Sequence, residues 1–164
     1  MATDKIVSWE VLKKEVRDWQ QRGLRIVFTN GCFDILHVGH VRYLKDAKAC
    51  GDKLIVAINS DASVKKIKGE RRPIVPQAER AEVVAALEFV DRVVIFDEPT
   101  PLDLITFLQP DILVKGADWP EEKIVGREIV LERGGKVKRI PLAEGVSTSK
   151  IIKRILARYK TKTE

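Results

Sequence analysis

The chain has 164 residues, 45% hydrophobic and 33% charged, with 30 Lys+Arg against 24 Asp+Glu and a net charge of +6. That length suits one domain with a real core, and the composition is too apolar for a disordered chain. No apolar run is long enough to cross a membrane, residues 1–19 lack a signal-peptide core, and Cys32 with Cys50 cannot build a disulfide scaffold, so a soluble, cytoplasmic protein is expected.

Apolar runs alternate with amphipathic stretches along the whole sequence. This predicts an α/β protein: a single Rossmann-like domain over residues 1–164, with an open five-stranded, mainly parallel sheet and helices on both faces. Residues 1–24 hold an N-terminal helix, from Trp9 to Arg22, capped by Ser8 and ended by Gly23. The core, about 25–157, opens with a strand over Ile26–Thr29, then a helix from about Gly39 to Cys50. Leu54–Ile58 is the second strand, followed by a short helix near Ala62 to Ile67. Lys68 to Pro76, which holds Lys68, Gly69, Arg71, Arg72 and two prolines, reads as a basic loop and not as a packed element. A helix from Gln77 to Glu88 leads to strand Val93–Phe96. Thr100 as cap and Pro101 at the first helical position start a helix that reaches Leu108. Strand Ile112–Val114, a helix around Gly126 to Arg133, strand Lys136–Ile140 and a last helix from a Ser147 cap to Tyr159 complete the chain.

Both histidines fall in one segment, Asn30-Gly31-Cys32-Phe33-Asp34-Ile35-Leu36-His37-Val38-Gly39-His40, between the first strand and the next helix. Ligands of open parallel sheets bind beyond the carboxyl ends of strands, and a helix N-terminus favours anions. His37 and His40 share one face of the entering turn, and Gly31 and Gly39 let backbone approach a bulky anion. Three readings compete: a chance pair of surface histidines, a metal site using Cys32, His37, His40 and Cys50, and a phosphate site. The C-x4-H-x2-H-x9-C spacing matches no closed zinc arrangement, while a phosphate site uses the whole segment.

The stretch Gly-Cys-Phe-Asp-Ile-Leu-His-Val-Gly-His resembles the signature of the HxGH nucleotidyltransferase superfamily in its cytidylyltransferase-like form, G-x-F-D-x-x-H-x-G-H. Val146-Ser147-Thr148-Ser149 resembles the second signature, and Asn59-Ser60-Asp61 a common segment after the second strand. Within that branch, Arg72 to Arg80, Leu113 to Trp119 and Val125-Gly126 resemble the adenylyltransferase domains that make ADP-heptose, a lipopolysaccharide core precursor, from D-glycero-β-D-manno-heptose 1-phosphate. The relatives that join CTP to glycerol 3-phosphate carry an arginine where this chain has Leu142. In many bacteria the heptose enzyme is fused to a sugar kinase. A chain of 164 residues leaves no room for one, so a stand-alone form is expected.

The resemblance implies attack by a substrate phosphate oxygen on the α-phosphorus of ATP, with loss of pyrophosphate. A sugar phosphate with a second pKa of about 6 needs no general base, so catalysis rests on positioning and charge neutralisation. His37 and His40 would touch the phosphates, with Lys45 able to reach them or to stay solvated. Asn30, Gly31, Cys32, Phe33 and Gly39 would cradle the nucleotide, and Ser147, Thr148 and Ser149 its β- and γ-phosphates, unless Ser147 merely caps. Lys115 ends a buried strand at the crevice, with Asp118 and Trp119 expected by the base or ribose.

Asp34 would bind acceptor hydroxyls or place Mg²⁺, or else stabilise its own turn. Asn59, Asp61, Arg71, Arg72 and Arg80 complete the expected substrate contacts, although the arginines can also be read as solvated surface. Lys153, Arg154, Arg158, Lys160 and Lys162 read as the solvated face and tail of the last helix. No carboxylate cage is present in the sequence pattern, so Mg²⁺ is expected to arrive with ATP. ATP and a sugar phosphate are thus the expected partners, with no membrane and with a homodimer as the candidate assembly. The rival non-enzyme reading, a basic nucleic-acid module, predicts oligonucleotide binding with steep salt dependence and no ATP turnover.

Overall fold

Ile26–Gly31 forms β1, the central strand of the computed structural model, which describes residues 1–160. Beside it lie β2 (Lys53–Asn59), β3 (Arg92–Phe96), β4 (Ile112–Gly116) and β5 (Lys136–Ile140), in the order β3-β2-β1-β4-β5. Every pairing is parallel, so the sheet is wholly parallel where the sequence suggested mainly parallel. The four strands β1 to β4 are rich in continuous apolar residues because helices cover both faces.

On one face, α2 (Val38–Lys48) and α4 (Gln77–Ala85) bring Leu44, Ala47, Ala81 and Val84 onto Val27, Leu54, Val56 and Ile58. On the other, α1 (Trp9–Gln21), α5 (Leu102–Leu108) and α6 (Arg127–Glu132) bring Leu12, Val16, Ile105 and Val130 onto Ile26, Phe28, Ile55 and Leu113. The short α3 (Asp61–Lys68) follows β2, and α7 (Thr148–Tyr159) follows β5. Ser8 and Ser147 cap α1 and α7 as expected, each accepting from the amide three residues on.

Some boundaries differ. The strands run further at their carboxyl ends than apolar runs suggested, because Asn30 and Gly31 stay in register with Ala57 and Ile58, and Lys115 and Gly116 with Arg139 and Ile140. Pro101, not Thr100, is the residue before α5, and no side chain caps that helix. The helices α2 and α4 stop at Lys48 and Ala85, short of Cys50 and Glu88. Lys162 lies outside the described residues.

Two features of the sheet matter below. The β1–β4 ladder runs only through Val27↔Ile112 and Phe28↔Leu113, and beyond it the strands part. The outer strands are also treated differently. Val7 donates its amide to Val93 of β3 at 3.0 Å, while β5 carries Lys136, Lys138 and Arg139 on its exposed positions.

Candidate active site

Reversal of strand order between β1 and β4 makes a crevice at their carboxyl ends, where parallel sheets bind ligands. A cleft of about 500 Å³ opens there. Its floor is the β1–α2 turn. Phe33 occupies the left-handed region at φ 48°, which costs a side-chain-bearing residue of order 1–3 kcal/mol and is held by its surroundings. Its buried ring meets His40 edge-on at 5.2 Å between centroids.

His37 caps α2, and its Nδ1 accepts the Gly39 amide at 3.1 Å. That bond places the ring proton on Nε2, leaving a donor for a ligand. A Cβ on Gly39 would lie 2.9 Å from the His37 ring. Gly39 therefore makes room for an imidazole, while it also lines the cleft. The His37 and His40 rings stack at 3.8 Å and 20°. Burial, then the neighbouring His37, pushes His40 down to about 4, and burial also lowers His37. Both are neutral at neutral pH. His40 Nδ1 is buried and finds no hydrogen-bond partner among the described residues.

These depressed values have a consequence for stability. Between about pH 6.5 and about pH 4 the unfolded chain takes up a proton at His40 that the folded chain refuses. Stability is therefore complete above that window and falls as pH drops through it, with His37 adding in the same direction. Thermal melts across this range are expected to show a smaller loss for His40→Asn than for the parent. Equal losses would assign the acid sensitivity to other groups.

Lys115 closes the crevice on the β4 side. Its Nζ lies 3.3 Å from Asn30 Oδ1 and 5.6 Å from the centre of the Trp119 ring, and burial lowers its pKa. Gly116 is the residue that tolerates this crowding, since a Cβ there would meet Asp118 Oδ1 at 2.6 Å. Ser147 and Ser149 line the cleft at the start of α7, and the Thr148 hydroxyl donates to the Ile35 carbonyl at 3.4 Å. Capping by Ser147, its Oγ accepting from Lys150 at 3.2 Å, coexists with its place on the cleft wall. The Cys32 thiol is pushed up by burial and points at Asn59 Oδ1, 3.9 Å away.

Asn30, Gly31, Cys32, Phe33, Asp34, His37, Gly39, His40, Asn59, Arg72, Lys115, Asp118 and residues 147–149 thus converge on one cleft. Other expected residues do not. Lys45 is exposed and outside the cleft, because five residues of helix carry it around α2 from His40. Arg71 is exposed on the loop and also outside it. Arg80 was expected to contact substrate or triphosphate, yet it is 1% exposed beneath the cleft. Its guanidinium donates to the carbonyls of Cys32 and Val75 and to Asp61 Oδ1 at 2.8 Å, so each of its three nitrogens has a partner within the protein. Asp61 is accordingly committed to Arg80 and does not line the cleft.

Asp34 is 2% exposed and accepts from Arg72 Nε and from the amides of Ile74 and Val75, at 2.8 and 2.9 Å. Its bonds are not to its own turn, as the turn-stabilising alternative has it: this carboxylate holds the basic loop, residues 72–75. Sequence reasoning missed Thr100, Lys123, Val146 and Tyr43 as lining residues. Thr100 was within reach of the rule already applied to β1, because it follows the carboxyl end of β3.

Among the described residues no helix is long and apolar enough to cross a membrane. Comparison with known proteins agrees with this geometry. The chain is 53% identical over 155 residues to the bifunctional protein HldE of Citrifermentans bemidjiense, covering 94% of this chain and 32% of that protein. It is 54% identical over 152 residues to the bifunctional protein HldE of Wolinella succinogenes, covering 93% and 31%. The chain thus spans about a third of the length of these curated relatives. The crystal structure of the lipopolysaccharide core biosynthesis protein from Thermoplasma volcanium GSS1 superposes with a TM-score of 0.59 at 31% identity, over 74% of this chain and 98% of that one. The cytidylyltransferase-like family matches residues 28–154, from within β1 to within α7, and so takes in the stacked histidines, Lys115 and the serine-capped helix start together. On that match the chain belongs to the cytidylyltransferase-like family of nucleotidyltransferases.

Proposed function

We propose that the chain transfers AMP from ATP to the phosphate of D-glycero-β-D-manno-heptose 1-phosphate, forming ADP-heptose and pyrophosphate. The observation that carries this reading is a cleft whose lining joins the stacked, neutral histidines to both apolar and cationic side chains. Trp119, Val125, Leu142 and Val146 contribute apolar surface suited to a nucleobase. Asn59, Lys68, Arg72 and Thr100 contribute polar, cationic surface suited to a phosphorylated polyol. Similarity to the HldE proteins and to a lipopolysaccharide core biosynthesis protein supports the choice of acceptor.

The acceptor phosphate is already largely dianionic and attacks without a base. His37 and His40 donate hydrogen bonds to the phosphates of the bound nucleotide, and Lys115 adds positive charge beside Asn30. The free amides at the start of α7 face the leaving pyrophosphate. These donors are fixed before reaction, so charge that builds in the transition state meets them without reorganisation. Of the cleft's carboxylates, Asp34 is taken by three donors and Asp118 stands apart, a set that suits a cation carried on the triphosphate. Mg²⁺ bound to ATP supplies charge neutralisation.

Pyrophosphate release measured with ATP or CTP, against heptose 1-phosphate or glycerol 3-phosphate, tests the assignment. ATP with the heptose is expected to lead in kcat/KM by about a hundredfold or more, and chelation of divalent cations to abolish turnover. If CTP with glycerol 3-phosphate leads, Leu142 has been given too much weight and the substrates are wrong. If no pair releases pyrophosphate, the transfer reading fails.

A further inference from the structure

His40 must be placed accurately, yet no hydrogen bond places it: its ring is held between Phe33 and His37, and its Nδ1 has no partner among the described residues. Something else must set the depth of this turn of α2. Three residues further along the same helix face, Tyr43 is buried, with its hydroxyl 2.7 Å from Thr29 Oγ1 and 3.2 Å from the Val114 carbonyl. Thr29 belongs to β1 and Val114 to β4. They follow the last paired residues of that ladder, Phe28 and Leu113, where the two strands part.

Proton accounting orders the chain of bonds. The Tyr43 hydroxyl has one hydrogen and gives it to the Val114 carbonyl, so the Thr29 hydroxyl donates to Tyr43. The phenol is pushed up to about 12, mainly by burial, and stays protonated at working pH. A side chain from the helix that carries His40 and is capped by His37 thus bridges the two strands at the point where their ladder ends.

We propose that Tyr43 is a positioning residue: its hydroxyl, seated between Thr29 and Val114, fixes the first turns of α2 and thereby sets His40 against the phosphates. The inference rests on the phosphate-site reading of His40. Tyr43 itself touches no reacting atom. Its loss acts through misplacement, for which shifts near 1 Å are costly.

Tyr43→Phe keeps the ring and removes the bridge. It is expected to lower kcat by about tenfold with little change in KM for ATP, and to shift the His40 ring resonances in the NMR spectrum of the ligand-free protein. Thr29→Val and Thr29→Ser form a second pair. The valine is expected to share part of the kcat loss and the serine, which keeps the hydroxyl, to restore it. A lowered melting temperature with parental kcat and unmoved His40 resonances would make Tyr43 structural only and overturn the proposal. If Tyr43→Phe does not fold, the Thr29 pair decides, since equal kcat for valine and serine also overturns it. Should the parent release no pyrophosphate, the transfer reading fails, while the His40 resonances still report whether Tyr43 positions that ring.

Discussion

His40→Ala is expected to lower kcat by about a hundredfold or more, the usual cost of removing one preorganised donor from developing charge. The acceptor still attacks in the variant, because its phosphate supplies its own negative charge. What is lost is a neutral imidazole in a water-poor position, where one hydrogen bond counts for more than in water. KM for ATP is expected to move little, since Lys115 and the α7 amides remain. The ring is only partly buried, so the fold should survive with a melting temperature a few degrees lower. Single-turnover pyrophosphate release beside a thermal melt checks both halves. A folded variant with near-parental turnover would remove His40 from the chemistry.

The second large effect is structural. Arg80→Ala is expected to cost about 3 kcal/mol, from two part-buried carbonyls left without donors and from the volume of the lost, fully buried side chain. For a chain of this size that corresponds to a fall in melting temperature of roughly 10 °C. Asp61, which is 38% exposed, can turn to water and softens the loss. Activity should fall as well, because the guanidinium ties the Cys32 turn, the Val75 loop and the start of α3 into one unit. Arg80→Lys keeps the charge but not the planar fork and is expected to recover only part of either quantity. An alanine variant that melts near the parent temperature and turns over normally would refute this account.

Arg80 also marks the limit of what the sequence could tell. The strands, the helices on both faces and the place of the cleft were legible, because they follow from apolar runs, cap residues and the rule for parallel sheets. A long cationic side chain on an amphipathic helix reads as surface. Its acceptors lie at Cys32, Asp61 and Val75, and nothing local announces that they meet around one guanidinium. Asp34 fails in the same way: its donors come from residues 72–75, so a carboxylate beside the histidines looks like a ligand until the loop is seen resting on it. Lys45 can be read from the sequence as reaching the phosphates or as solvated, and the helix turns it outward to solvent, the second of these.

The two outer strands bear on the protein's behaviour at high concentration. A sheet whose border offers free amides and carbonyls can recruit another chain and grow. Here Ile6 and Val7 lie along β3 and take up the Val93 carbonyl, while β5 meets any approaching copy of itself with Lys136, Lys138 and Arg139. One border is covered at Val93 by the chain's own backbone and the other guarded by like charge, which screening by salt would weaken. Resistance to self-association at the β5 border is therefore greatest in dilute buffer, whereas the backbone contact on β3 does not depend on ionic strength.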